Sequence, residues 1–195
     1  MQKRFLTLVF LLFLAAPIFG QSVLALKLVE ASIALTKQKV VYDPAYFSIP
    51  YPNGDVPPGK GVCTDVVIRA YRKGLQIDLQ KEVYLDMKPN FDRYPKNWGR
   101  KTTDRNIDHR RVYNLMVFFK RKGKVKEIST APADYLPGDL VCWNLGGNIT
   151  HIGIVINRKS ADGKRNLIVH NIGAGQVIED CLFAWKIIGH YQYKI

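Results

Sequence analysis

Acidic side chains are scarce in this chain: 16 Asp and Glu stand against 29 Lys and Arg, a net charge of +13. A surface so short of acid draws polyanions, whether nucleic acid, anionic lipid or acidic wall polymer. Cysteine is scarcer still. The three are Cys63, Cys142 and Cys181, an odd number, so at least one stays unpaired or pairs between chains. Cys142 and Cys181 are one pairing open to it, which would leave Cys63 free. No C-x-x-C motif is present, which argues against a dithiol redox protein. A close cysteine pair and an H-x-E-x-x-H helix are also missing, which argues against a catalytic metal. No low-complexity tract, internal repeat or second domain boundary interrupts the 195 residues. That length suits one domain with a real core.

Long apolar runs are missing too. The longest, Phe5 to Phe13, is too short to span a membrane comfortably. It follows the basic Met1-Gln2-Lys3-Arg4 and precedes Ala15-Ala16-Pro17-Ile18-Phe19-Gly20. This reads as a secretory signal peptide over residues 1–20, with a mature domain over 21–195. No cysteine follows the apolar segment, so a lipoprotein anchor is not expected. Without Lys3 and Arg4 the mature charge is +11. Export to the periplasm or beyond disfavours nucleic acid as a partner and favours an extracytoplasmic polymer. It also places the thiols in an oxidising compartment.

Within the mature chain, Ser22 to Gln38 reads as a helix, with Leu24, Leu28, Ala31 and Leu35 on one face. Val40 to Pro58 holds three tyrosines, five prolines and Asn53-Gly54, an ordered, turn-rich loop. A second helix starts at Cys63 and runs to about Arg72, with Gly74 expected as its C-cap. Leu79 to about Met87 and Val112 to Lys122 read as further helices. After Ala131 the pattern changes to strands: Leu140 to Trp143, Ile152 to Ile156, Leu167 to His170, and a last one near Ile187 to Tyr193. The expectation is an α+β domain, N-terminal helices packed on a C-terminal antiparallel meander.

The chemistry is expected at Gly61-Val62-Cys63-Thr64-Asp65. A cysteine on the first turn of a helix sits among unpaired N–H groups at the positive end of the dipole, where a thiolate is favoured. His151 begins one strand and His170 ends the next, so an antiparallel hairpin should bring them together. Cys63 as nucleophile, His151 as base and His170 as orienting group would form a catalytic constellation. Asp65 suits the helix dipole and can reach back to hold the loop. Asp108, His109, Arg110 and Arg111 form a dense polar run whose arginines suit a carboxylate-binding cleft wall. His190 is expected to be structural.

These residues resemble a known group. Cys63 at a helix start, Leu136-Pro137-Gly138-Asp139-Leu140-Val141, His151-Ile152-Gly153-Ile154-Val155 and His170 look like the NlpC-type and CHAP-type cell-wall cysteine peptidases. A closer likeness covers nearly the whole mature chain. Tyr42-Asp43-Pro44, Tyr51-Pro52-Asn53-Gly54-Asp55, Gly61 to Arg69, Asn106 to Arg111 and Val169-His170-Asn171-Ile172-Gly173 resemble the secreted bacterial domain-of-unknown-function family 1287. The resemblance implies a papain-like fold and a Cys63–His151–His170 triad without cofactor or metal. It implies a periplasmic or secreted hydrolase of peptide bonds in peptidoglycan, acting on the peptide stem as a monomer. Non-catalytic wall binding, or amidase or acyl-transfer chemistry with the same triad, are the alternatives, and an inhibitor or immunity protein is a partner type this class admits. A tyrosine before the nucleophile often lines such sites. Tyr42, Tyr46 and Tyr51 are candidates, and Tyr51 joins Asp65, Asp108, His109, Arg110 and Arg111 as expected substrate-binding residues. The chain departs from the usual NlpC pattern at Thr64-Asp65, where Ser-Gly is common, and in the segment from Pro89 to Arg111.

Overall fold

The computed structural model describes residues 22–195, so the expected signal peptide lies outside the described residues. The elements in chain order are α1 (Val23–Leu35), β1 (Val41–Tyr42), β2 (Lys60–Gly61), α2 (Cys63–Leu75), α3 (Leu79–Met87), α4 (Val112–Lys122), β3 (Lys124–Val125), β4 (Leu140–Asn144), β5 (Thr150–Lys159), β6 (Asn166–Asn171), β7 (Gln176–Glu179) and β8 (Lys186–Gln192). The α+β expectation holds: helices dominate the first half and an antiparallel sheet the second.

Local chemistry sets most helix ends. The Ser22 hydroxyl accepts from the Leu24 and Ala25 backbone N–H groups at 3.2 and 3.4 Å, capping α1. The Asp78 carboxylate does the same for α3 through Gln80 N–H. Gly123 ends α4, as expected. The end of α2 differs from expectation. Gly74 is a helical residue, and Gln76 takes the left-handed cap at φ 59°. Gly74 is needed for contact: a Cβ there would lie 2.6 Å from the Lys27 carbonyl oxygen of α1. α1 and α2 therefore cross with almost no side chain between them.

The sheet order is β3-β8-β4-β5-β6-β7. Strands β4 to β7 form the expected meander, but β8 returns to pair with β4, Leu140 opposite Tyr191. Strands β1, β2, β3 and β7 are too short to announce themselves in the sequence. One face of the sheet carries Leu140, Cys142, Ile152, Ile154, Ile156 and Val169 into the main core, against Leu28, Val67, Leu115 and Phe119 of the helices. The opposite face carries Val141, Trp143, Val155 and Ile168 into a smaller cluster closed by Tyr135, Cys181 and Leu182. Alternation along a strand thus separates Cys142 from Cys181 by the thickness of the sheet. All three cysteines are free, so the Cys142–Cys181 bridge is not formed.

Replacing Gly74 by alanine gains helix propensity of up to about 1 kcal/mol but forces α1 and α2 apart. We expect a net loss of about 1–2 kcal/mol, read as a lower urea midpoint at unchanged slope.

Candidate functional site

Cys63 is the first residue of α2, and what precedes it is held firmly. β1 and β2 pair in parallel, Tyr42 with Gly61. The Gly61 carbonyl accepts from Asp43 N–H at 3.1 Å and from Asn171 Nδ2 at 3.2 Å. Asp65 Oδ2 then reaches back to accept Val62 N–H at 2.7 Å, the loop-holding role expected of it. Asp65 also receives a fork from Arg110, Nε to Oδ1 at 2.9 Å and Nη2 to Oδ2 at 3.0 Å. Both side chains are nearly sealed from solvent, 3% and 2% exposed. Removing either partner of such a pair strands a buried charge, at a cost of roughly 3–5 kcal/mol. Thr64 Oγ1 donates to the Arg110 carbonyl at 3.1 Å. Thr64 and Asp65 therefore tie the cysteine helix to the 108–110 turn.

That arrangement engages several of the expected substrate-binding residues within the protein itself. Asp65 and Arg110 are occupied with each other, and Arg110 Nη1 donates to the Ala45 carbonyl at 3.1 Å. His109 is buried, and burial beside Arg110 and Arg72 pushes its pKa down to about 3. Asp108 is a brace, accepting Asp104 N–H at 2.5 Å. Tyr51 packs edge-on against Tyr84 at 5.2 Å under the Arg105 guanidinium. It lines a separate hollow of about 880 Å³ with Tyr46, Lys88 and Arg100. The cleft at Cys63 is smaller, about 340 Å³, and its walls include Tyr42, Trp98, Arg111 and Thr150. Of the two, the smaller cleft is the one lined by the Cys63 side chain. Tyr42 is the tyrosine of the site. Arg111 lies 4.1 Å over the Trp98 ring and 3.6 Å from Asp108, and it shares the cleft wall with Arg110, whose guanidinium is already forked to Asp65.

The thiol itself overturns one expectation. Cys63 is 4% exposed, and desolvation pushes its pKa up to about 12, with the Asp65 carboxylate adding to the rise. Hydrogen bonding from the Ile152 backbone and from the first turn of the helix opposes this but does not win. At rest the group is a thiol.

The histidines meet, though not by direct pairing. β5 and β6 pair Ile154 with Val169 and Val155 with Ile168, which sets His170 across from Gly153. Gly153 has no room for a side chain: a Cβ would come within 3.2 Å of His170 Cβ and 2.6 Å of Ile168 Cγ2. In that space His151 Nε2 lies 2.8 Å from His170 Nδ1. His170 Nε2 lies 2.8 Å from Glu179 Oε2. Glu179 is the member of this series that the sequence did not reveal, because β7 is only four residues long.

The chain of contacts sets the tautomers. A carboxylate only accepts, so His170 carries its proton on Nε2 and accepts at Nδ1. His151 then donates from Nε2, which leaves its Nδ1 as the lone-pair nitrogen. Burial keeps both rings neutral, His151 pushed down to about 3 and His170 lowered against the opposing pull of Glu179. The expected Cys63–His151 hydrogen bond is not formed among the described residues. His151 pairs with Trp143, and alternation puts both on the face away from the helices. The thiol meets the same strand from the helix side, at Ile152. His190 is structural as expected, with Nε2 2.6 Å from Asp139 Oδ2 and Nδ1 2.9 Å from the Glu127 carbonyl.

Residues 29–193 match the family model described as Domain of unknown function (DUF1287). Among curated proteins, the "Uncharacterized protein YijF" of Escherichia coli (strain K12) is 51% identical over 154 residues, 79% of this chain and 74% of that protein.

A histidine held neutral in the fold but free to charge in the unfolded chain makes stability depend on pH. His109 and His151 both have folded values of about 3, below an unfolded value of about 6.5. Between those limits the unfolded state binds more protons. Their stabilisation is therefore complete above about pH 6.5 and is lost as pH falls toward 3, by up to about 1.4 kcal/mol per pH unit for each histidine. Urea titrations between pH 7 and 5 should show this slope, and His109→Gln should lower it by the share that ring carries, up to about 1.4 kcal/mol per pH unit.

Proposed function

The chain belongs to the DUF1287 family, and from the site it carries we propose that it is a secreted or periplasmic cysteine hydrolase of peptide bonds in peptidoglycan, with a papain-like, NlpC-type arrangement. The observation that carries this reading is the relay Glu179–His170–His151, ending on a lone-pair nitrogen of the strand whose other face meets the helix-start Cys63 at Ile152. Such a series has the order of nucleophile, base and orienting groups that acyl transfer requires. The order Cys, His, His along the chain supports it, as do the carboxylate-seeking Arg111 on the cleft wall and the net charge of +11 that remains without Lys3 and Arg4, toward an acidic polymer.

In the proposed reaction Cys63 Sγ attacks the scissile carbonyl while its proton passes to His151 Nδ1. Because the resting group is a thiol, attack and proton transfer occur together, and they require His151 to swing from the far face of β5 toward the cleft, whose wall reaches this strand at Thr150. The C–O π electrons become an oxyanion, held by the Cys63 backbone N–H at the start of α2. His151 returns the proton to the leaving amine, the C–N bond breaks, and an acyl-enzyme remains. Water, deprotonated by the same histidine, releases the acid and the thiol.

A second reading is a non-catalytic wall-binding module on the same fold. The sealed Cys63 thiol, unbonded to His151, favours it. Incubating purified sacculi with wild type and Cys63→Ala, then resolving the products by muropeptide chromatography, separates the two. The hydrolase releases new fragments that Cys63→Ala does not, and fragment masses tell peptide cleavage from sugar–peptide amide cleavage or transfer. Equal product from both proteins overturns the mechanism. Salt-sensitive binding without product from either supports the module.

Glu179→Gln tests the relay. Loss of the obligate acceptor lets His170 flip its tautomer, so turnover should fall at least about tenfold, within the limit of about 10⁴ known for wrong-tautomer triads. The half-exposed Glu179 side chain leaves the thermal midpoint little changed, so the loss appears in kcat and its pH profile.

A further inference from the structure

The proposed chemistry has no use for Cys181, yet that buried thiol points at the relay. Its Sγ lies 3.6 Å from His170 Nε2, the nitrogen that also faces Glu179 Oε2 at 2.8 Å. One ligand atom from each of His170, Glu179 and Cys181 falls within 4.8 Å of the others. We propose that these three residues form a site for a thiophilic divalent cation, of which zinc fits best, and that filling it switches the proton relay off.

The geometry suits such an ion. Tetrahedral bonds of about 2.0 Å to N and O and about 2.3 Å to S set ligand atoms about 3.3–3.5 Å apart. The sulfur–nitrogen separation is already there, and the carboxylate oxygen needs to withdraw by about half an ångström. A sulfur, an imidazole nitrogen and one carboxylate oxygen select zinc over magnesium or calcium, which prefer oxygen alone. Access is through Glu179, 52% exposed at its side chain, while His170 is sealed. The ligand ring is already oriented from behind by His151, the arrangement metal-bound histidines need.

The effect on the relay follows from where protons must sit, and it rests on the reading of the site as a hydrolase. Metal on His170 Nε2 expels that proton to solvent and places the ring proton on Nδ1. His170 then donates to His151 Nε2 instead of accepting from it. The Nε2 proton of His151 moves across that hydrogen bond, and His151 takes one from solvent at Nδ1. The nitrogen that would accept the thiol proton is now occupied. The balance is one proton released overall, from Cys181.

Binding is tested without activity. Full-length chain stripped with chelator is titrated with Co²⁺, and thiolate-to-cobalt charge-transfer absorption is followed, then displaced by Zn²⁺. One equivalent should bind to wild type and to Cys63→Ala, with the absorption lost in Cys181→Ala. Circular dichroism checks that each variant is folded, and Glu179→Gln, which leaves the core untouched, should weaken binding at least about tenfold. Stoichiometric absorption surviving in Cys181→Ala, or no saturable binding to wild type, overturns the site. On sacculi, one equivalent of Zn²⁺ should slow wild type at least tenfold and leave Cys181→Ala unaffected. Equal inhibition of both overturns the switch. Absence of turnover in metal-free wild type defeats the hydrolase reading and with it the switch, while the cobalt titration still decides the site.

Discussion

The buried Asp65–Arg110 pair is the interaction on which the rest of the site depends. It is costly to build, because two charges leave water, and the bidentate fork with its added backbone bonds is what offsets that cost. Its two halves come from segments 45 residues apart. One is the first turn of the helix that carries Cys63. The other is the short turn before α4, and Arg110 also grips the Ala45 carbonyl in the tyrosine-rich loop. One guanidinium thereby sets the walls of the thiol cleft relative to one another, and Tyr42, Trp98 and Arg111 take their places around it.

The sheet supplies the other half. Its two faces are put to different uses. The helix face is a dry aliphatic core, and it delivers the Cys63 thiol to the Ile152 backbone. The far face holds the Glu179–His170–His151 series, walled by Trp143 and Trp185. Glycine at 153 makes this arrangement compatible with close packing, since His170 can lie over it toward His151. The same burial that fixes the ring tautomers also keeps the thiol protonated. Resting stability and reactivity pull in opposite directions here, a common tension at sites built for chemistry.

Much of the architecture was legible along the chain. Ser22 and Gly123 mark helix ends, the one by its hydroxyl and the other by lacking a side chain, and the strands around Ile154 and Val169 show their apolar runs. The helix-first Cys63 and the meeting of His151 with His170 were legible as well, from position and spacing. Gly74 was misread because a glycine near a helix end has two uses, a left-handed cap or a close crossing, and only the neighbouring helix distinguishes them. The burial of Arg110, His109 and Asp108 was hidden for a related reason. A charged run does not show which partner engages it, and Asp65 is far away in sequence.

What the sequence determined by itself was local: which segments form helices and strands, the scarcity of cysteine, the excess of base, and which side chains are fit for nucleophilic chemistry. Propensity, capping and periodicity act over a few residues, so they can be read there. Tertiary structure alone decided the protonation of the thiol, the entry of Glu179 into the relay, and the face on which each cysteine lies. Those depend on desolvation, on distances of a few ångströms across strands, and on sheet register, all of which arise only when distant segments pack together.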